Sequence, residues 1–535
     1  MTTYSASELL GRGFLPAELP PIFTSASLGT AYQQFKGELE PCKAPKGIAV
    51  VPTTFNLARQ GTLRRRLSIP HPLYYAQLCQ EIEAHSMLLQ HALDRSTWSR
   101  SRPTVSGTGR ALDRPLKERL IVEARAEVRA TSRYLVQADI SQFYHSIYTH
   151  TIGWSIAGKD KAKELKKHPD QKHEPAHLEA HIGNELDKKI RALQDGQSIG
   201  LPVGPDASFL LAEVLLCGVD RTLSDEFDAQ NIRVVAMRNV DDYQIGSQSY
   251  DDAEKVLALL QRHLRTELEL TLNPRKTKIL TLPAPLEDPW VTELKGIVQA
   301  TTGVPERQKR RELLRLFDLA TAARSKYPEE HVYSYLLGIL KHVNVGPNNW
   351  KLLQHMLLQI ALAESGTLRQ MLTDLLWYKK EGNNIDTDRW RDVFERMIKT
   401  HAPQEHSSEV VWALWGLYEL GGKLSSAVVS AILKMEDAIV ALLAICLAHH
   451  GLCESQDDMD RLKETYQRRV GRAGFFGEQW PLIYEATTRG WLEETPDLHD
   501  DRGYQCLKKH HVTFLDFSKR IDPSDHNQYK DYGSP

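Results

Sequence analysis

Asn239-Val240-Asp241-Asp242 is the stretch whose reading decides the fold. Ile232, Val234, Val235 and Met237 precede it, and Tyr243 and Ile245 follow. Two apolar, β-branched runs around so short a polar break predict a tight β-hairpin with adjacent carboxylates at its tip. Acidic pairs are common on protein surfaces. Asp251-Asp252, Asp457-Asp458 and Asp500-Asp501 sit in polar surroundings and read as helix starts or solvated loops. Only the pair at 241–242 lies between two apolar runs.

Working outward, Tyr134-Leu135-Val136-Gln137-Ala138-Asp139-Ile140 reads as a strand that ends in an acid. Ser141 is expected to cap a following helix on which Phe143, Tyr144 and Ile147 recur at helical spacing. Taken alone, Asp139 reads as a helix-capping acid. Paired with Asp241-Asp242 about a hundred residues on, it suits a carboxylate site for Mg²⁺, which takes a few carboxylates plus substrate phosphates. Two such ions roughly 4 Å apart activate a hydroxyl and stabilise the leaving oxygen of a phosphoryl transfer.

Two further segments fit that chemistry. Gly200-Leu201-Pro202-Val203-Gly204-Pro205 is a stiff loop before an apolar helix that starts near Ser208. Leu272-Asn273-Pro274-Arg275-Lys276-Thr277-Lys278-Ile279 follows an amphipathic helix over about 250–268 and sets lysines beside a short strand. Alone, the first is an ordinary turn and the second a basic turn.

In this order the four segments resemble the palm of a reverse transcriptase. YLVQADISQFYHSIYTH (134–150) is similar to the first catalytic motif and GLPVGPDASFLLAEV (200–214) to the template-and-nucleotide loop. RNVDDY (238–243) is similar to the Tyr-x-Asp-Asp box, and LNPRKTKI (272–279) to the lysine motif after it. The wording around GQSIGLPVGP and LAEVLL resembles the bacterial abortive-infection and defence-associated enzymes of the AbiK-like branch. Val203 and Pro205-Asp206-Ala207 depart from the usual retroelement form, and Asn239 stands where the family box has tyrosine.

The resemblance covers about residues 45–295. It implies an α+β fold: reverse-transcriptase fingers and palm, a right-hand polymerase, over 1–295, then an all-helical, HEAT-like domain over 296–535. It makes Asp139, Asp241 and Asp242 metal ligands, with Ile140 beside them, for two Mg²⁺ ions that Mn²⁺ can replace. Lys276 becomes the catalytic lysine that assists pyrophosphate departure. Tyr144 becomes the gate against a ribose 2′-hydroxyl. Gln197, Gly200, Pro202 and Gly204 become the loop over the nascent pair, and Asn239 an altered primer or template contact. Arg64, Arg65 and Arg66 fall where the fingers meet the triphosphate.

The implied activity is RNA-directed or untemplated synthesis of DNA from dNTPs in antiphage defence. The branch includes protein-primed enzymes, whose DNA product is covalently attached. Tyr529 and Tyr532 are the tail candidates among 19 tyrosines. The resemblance also implies a homo-oligomer. Two alternatives stand beside this reading. One is a retron-type enzyme that copies a dedicated non-coding RNA. The other is a catalytically weak, RNA-binding scaffold.

Composition agrees. The 535 residues carry a formal charge of −2, so the whole chain is no basic tail-type binder. From Arg59 to Arg133, however, 14 Lys and Arg face 7 Asp and Glu, and 13 of the 14 are arginine, which favours bidentate phosphate contact. The six cysteines show no paired metal spacing, and Cys217 and Cys446 read as core thiols. The start of the chain lacks a secretory pattern, and no apolar run approaches 18 residues. A reduced, cytoplasmic protein without a membrane span is expected. From Glu306 to about Arg472 one amphipathic helix follows another in units of roughly 40 residues, as in a helical repeat. Trp480, Tyr484 and Trp491 are expected to pack a terminal helix pair.

Overall fold

The computed structural model describes the chain except residues 1–2, 60–63, 114–117, 168–171, 173, 175–176, 302–303, 344 and 524–535. Tyr529 and Tyr532 therefore lie outside the described residues. The chain is helix-rich, with three small sheets among the described residues. β1 (Thr53–Ala58) pairs with β2 (Arg64–Ile69), and β3 (Thr104–Val105) with β4 (Leu112–Asp113). β5 (Tyr134–Asp139), β6 (Val235–Asn239), β7 (Asp242–Ser247) and β8 (Lys278–Thr281) form an antiparallel sheet in the order β6-β7-β5-β8.

Both faces of this sheet are covered, so β5 lacks the strict apolar–polar alternation of a half-exposed strand. Leu135 packs with Ile121, Ala124 and Val128 of the helix Glu118–Ala130. Val136 and Ala138 join the main core, which includes residues of the helices Asp206–Ala229 and Tyr250–Leu268. At Gly246 of β7 a Cβ would lie 2.8 Å from the Val128 carbonyl, so only glycine lets the helix approach.

The chain after β5 departs from expectation. Ser141 caps nothing. Gln142 holds the N-cap position with φ 46, the helix is only Phe143–Ser146, and Ile147 is extended. The cause is a docking contact: the Ser141 N–H donates to the Thr271 carbonyl at 2.8 Å, and the β-bridge Ile140–Leu272 continues the link. Tertiary pairing has overridden local helix propensity.

Beyond residue 300 the helices stack in two layers. Val332–Leu340, Leu368–Lys380, Ser407–Glu419, Ala438–His449 and Trp480–Thr488 follow one another in one layer. Trp350–Ala363, Thr387–His401, Ser426–Ile432 and Gln456–Arg472 follow one another in the other. The predicted faces are buried: Leu353, Leu357 and Ile360, Val411 and Trp415, Val428 and Ile432, Leu442 and Leu443. Each helix is too short to bury its apolar stripe alone, so it does so against the next but one.

The two halves join tightly. β1 is an edge strand, and the start of Ser407–Glu419 covers its open edge. Asn56 N donates to Ser407 Oγ at 3.1 Å, and Ala58 N donates to Ser408 Oγ at 3.0 Å. Trp480 does not pack a terminal helix pair. Its Nε1 donates to the Ile69 carbonyl at 3.3 Å, and its ring lies against Phe14 and His71. The His71 ring is fully buried and makes no hydrogen bond, and burial pushes its imidazole down to about 3. No helix among the described residues is long and apolar enough to cross a membrane.

Candidate functional site

β6 and β7 meet in a two-residue turn, because Asn239 pairs with Asp242 and leaves only Val240 and Asp241 between them. On its other side β7 runs antiparallel to β5, in a register that sets Asp139 opposite Asp242. The sheet thus gathers three carboxylates that are distant in sequence at one end of two adjacent strands. A hairpin tip and a strand end on a covered sheet are rigid supports for such a site.

The turn is strained and firmly held. Val240 is β-branched and carries φ 54, a left-handed conformation that costs such a residue roughly 1–3 kcal/mol. Two hydrogen bonds fix it: Val240 N donates to Ser101 Oγ at 2.7 Å, and Arg238 Nη1 donates to the Val240 carbonyl at 2.7 Å. Arg238 is itself fully buried and pairs with Asp220 at 2.8 Å and Glu213 at 3.1 Å. Ser99 and Ser101 donate to the two Glu213 oxygens at 2.9 and 2.7 Å, and Ser96 donates to Asp220 at 2.6 Å. This buried ionic network is satisfied on every side, as such networks must be. Sequence reading passed over it. The available signal was a lone arginine in the strand run Val235-Ala236-Met237-Arg238 and a glutamate within Leu211-Ala212-Glu213-Val214.

Asp139 is the most enclosed of the three acids at 8% exposure. Its Oδ1 accepts from Lys276 Nζ at 3.2 Å and its Oδ2 from Asn273 Nδ2 at 3.1 Å. The Asn273 N–H also donates to the Asp139 carbonyl at 2.7 Å, so the turn over 272–277 is docked on the strand end. Asn273 is a second residue to which the sequence reading gave no role. Burial, followed by the charge of Asp139, pushes the Asp241 carboxyl up to about 6; Lys276 and Arg65 oppose that shift. Burial, then Asp241 and Asp139, push Asp242 up to about 8. Three oxygen-donor side chains that repel one another fit a hard divalent cation.

The acids open into a cavity of about 3090 Å³ between the sheet, the β1–β2 hairpin and the helices from Val332 to Lys380. Small-molecule clefts are about 300–1,000 Å³, so this space suits a polymer. Asp139, Ile140, Tyr144, Gly204, Asn239, Asp241, Asp242 and Lys276 all line it, as do Arg64, Arg65 and Arg66. Gln197, Gly200 and Pro202 lie outside its wall. Gln197 is exposed and Pro202 buried. Their loop instead runs beside the segment after β5: Gly200 N donates to the Ile147 carbonyl and Leu201 N to that of Tyr144, each at 2.8 Å. Gly204 carries φ 127, and a Cβ there would lie 2.9 Å from the Pro16 ring. Val203 is tied to β2 through Ser68 N at 2.9 Å.

The three arginines have different surroundings. Arg64 forms a bidentate pair with Glu409, a carboxylate only 1% exposed, and its Nε donates to Asn56 Oδ1 at 2.9 Å. Its donors are occupied in tying β2 to the helical half. Arg66 is exposed and donates to Thr54 Oγ1 at 2.8 Å. Arg65 is exposed on the cavity side, near enough for its charge to act on Asp241. Tyr144 is half-buried, its ring edge-on to Phe143 at 5.3 Å.

No protein-family model and no curated protein matches this chain. Among solved structures, telomerase from Candida albicans in complex with a fragment of telomeric RNA aligns with 71% of this chain and 68% of that one, at 12% identity and a TM-score of 0.30. Apo telomerase from Candida tropicalis aligns with 83% of this chain and 74% of that one, at 10% identity and a TM-score of 0.32. These are distant similarities.

Proposed function

We propose that this protein is a DNA polymerase of reverse-transcriptase type that adds dNTPs by two-metal nucleotidyl transfer in an antiphage defence role. One observation carries the reading: Asp139 stands in register opposite Asp242, with Asp241 in the adjoining tight turn, at the floor of a polymer-sized cavity with arginines on its wall. The motif resemblance of the sequence supports the same assignment from an independent direction.

Asp139, Asp241 and Asp242 would hold two Mg²⁺ ions, or Mn²⁺ in their place. When bound, these supply an activated primer hydroxyl and charge stabilisation at the leaving phosphate. The chain's own residues do the rest. Arg65 and Lys276 bring positive charge to the acids from two directions, where triphosphate oxygens would lie. Lys276 now bonds Asp139, and phosphate oxygens would compete for its ammonium. Tyr144 offers a ring beside the strand end, where it would crowd a 2′-hydroxyl. Asn239, paired across the turn with Asp242, gives a small polar edge in place of an aromatic one, which suits an unusual primer.

The helical half, with residues such as His331 and Arg369 on the cavity wall, would hold the product strand. Priming from a tyrosine hydroxyl and assembly into a homo-oligomer belong to the same reading. The test is incorporation of labelled dNTPs by purified protein with Mg²⁺, with and without RNA template and primer. Incorporation lost in Asp139→Asn supports the proposal. A folded, metal-supplied protein inert under every template and primer condition contradicts it.

A further inference from the structure

The two ends of the described chain meet at a junction that does not line the acidic cavity. The segment after the helix Ala26–Phe35 lies against the C-terminal helix Arg502–Lys509 and the residues that follow. Thr24 N donates to the Phe514 carbonyl at 3.0 Å, and Ser27 Oγ donates to that of Thr513 at 2.8 Å. At this junction four side chains of metal-binding type converge: Glu38 and Cys42 from the N-terminal segment, Cys506 and His510 from the C-terminal one.

One ligand atom each of Glu38, Cys506 and His510 lies within 4.8 Å of the other two. Cys42 lies beside Cys506, and its thiol donates to the Arg502 carbonyl at 3.6 Å. Both cysteines are 4% exposed, and neither is in a disulfide. His510 Nε2 is buried, makes no hydrogen bond, and lies 3.5 Å from Glu38 Oε1. The opposite ring nitrogen, Nδ1, lies 3.2 Å from Gln34 Oε1. Acceptor oxygens thus face both ring nitrogens, and Nε2 is the one turned toward the cluster.

A histidine nitrogen, a buried thiol and a carboxylate held within 4.8 Å of one another make a donor set suited to a metal centre. Structural zinc sites are tetrahedral with Cys and His ligands, and a histidine ligand characteristically donates its other N–H to an outer partner. With bonds of about 2.0–2.3 Å, ligand atoms in such a centre stand about 3.3–3.8 Å apart. The His510–Glu38 separation of 3.5 Å already falls in that range.

We propose that Cys506, His510 and Glu38, completed by Cys42 once its thiol turns from the Arg502 carbonyl, form a structural zinc site that fastens the C-terminal helix to the N-terminal segment. Binding releases the two thiol protons to solvent. Two thiolates and a carboxylate leave the centre with one net negative charge, and Lys509, whose Nζ lies 3.1 Å from Glu38 Oε1, stands ready to offset it. Lys509 is 64% exposed and can shift to the second carboxylate oxygen when zinc takes the first. Zinc here closes a loop of nearly the whole chain, which explains how so polar a cluster serves a protein with no disulfide among its described residues. The cysteines are more than 460 positions apart, so no local spacing could announce the site.

The test uses full-length, untagged protein made in zinc-supplemented cells and purified without chelator, with metal content read by mass spectrometry. The expected result is about one zinc per chain. Cys42→Ser and Cys506→Ser should each lose it about tenfold or more, and Gln34→Ala should keep zinc with affinity weakened about tenfold. Cobalt(II) titration of the zinc-stripped protein should give thiolate-to-cobalt charge-transfer absorption. If the cysteine variants do not fold, the cobalt spectrum of the wild type and its alteration in Glu38→Gln decide the matter. Three results overturn the proposal: folded protein with no bound zinc and no thiolate–cobalt band, zinc retained in both cysteine variants, or a Cys42–Cys506 disulfide in the freshly purified chain.

Discussion

Asp139 and Asp242 occupy facing positions on adjacent antiparallel strands, and neither can leave the other without breaking the sheet. Asp241 joins them from a turn whose shape is locked by Ser101 and Arg238. The fold therefore concentrates negative charge that it does not itself neutralise. Among the described residues Lys276 is the one cation bonded to Asp139, and nearly half of its side chain is exposed. Such an arrangement costs stability, which the proposed metal ions would offset.

The cost should be measurable. Above about pH 8, where Asp242 is ionised, Asp242→Asn removes one of the repelling charges and keeps the shape of the side chain. In the presence of a chelator it should raise stability on the order of 1 kcal/mol, after allowance for solvent screening. The same variant should have no detectable dNTP incorporation. Denaturant unfolding beside the activity assay checks both. A variant less stable than wild type without metal would mean that the acid serves structure.

The pH dependence follows from the same groups. Asp241 and Asp242 are raised to about 6 and about 8. Unfolded aspartate ionises near about 4, so through the window from there to about 8 the folded protein holds protons that the unfolded chain has lost. Their contribution to stability therefore falls as pH rises through that window and levels off above it. Mg²⁺ binds the ionised forms, so its stabilising effect should be larger at about pH 9 than at about pH 6. Thermal denaturation with and without Mg²⁺ at the two pH values measures this. An equal effect at both would separate metal binding from these carboxylates.

Ser101 touches neither the cavity acids nor any expected substrate atom, yet it accepts the Val240 N–H. Ser101→Ala should cost about 1 kcal/mol of stability and lower kcat about tenfold, with little change in the KM for dNTP. Ser101→Thr should recover part of the loss. A fall in stability with kcat unchanged would make Ser101 a purely structural residue.

Tyr144→Ala should let ribonucleotides compete. The discrimination between dNTP and NTP should fall about tenfold or more, while dNTP incorporation persists. Competition assays with both substrates measure the ratio. Unchanged discrimination would make Tyr144 an ordinary packing residue beside Phe143.

The hairpin, the β5 strand and the loop before Asp206–Ala229 were legible because their signals are local: apolar alternation, a short polar break, and glycine with proline. The helical half was legible from its 3.6-residue stripes. Other features were not, and in each case a distant partner is the reason. Ser141 looked like a cap, but its N–H is taken by Thr271, more than a hundred residues away. Arg64, Arg65 and Arg66 looked like one basic patch. Alternate side chains on a strand point to opposite faces, and Arg64 is claimed by the buried Glu409. Gln197 and Gly200 carried the motif spacing, but their loop pairs along the segment after β5 and not over the acids. Arg238 and Asn273, which hold the site together, have meaning only once β6, β7 and the turn over 272–277 are assembled.

Transfer of labelled dNTP by the full-length protein, with Mg²⁺ and no added primer, read on a denaturing protein gel, tests the central claim most directly. The account predicts that DNA is made, that label migrates with the protein, and that both signals vanish in Asp241→Asn at unchanged circular dichroism. Incorporation that persists undiminished in Asp241→Asn would contradict it.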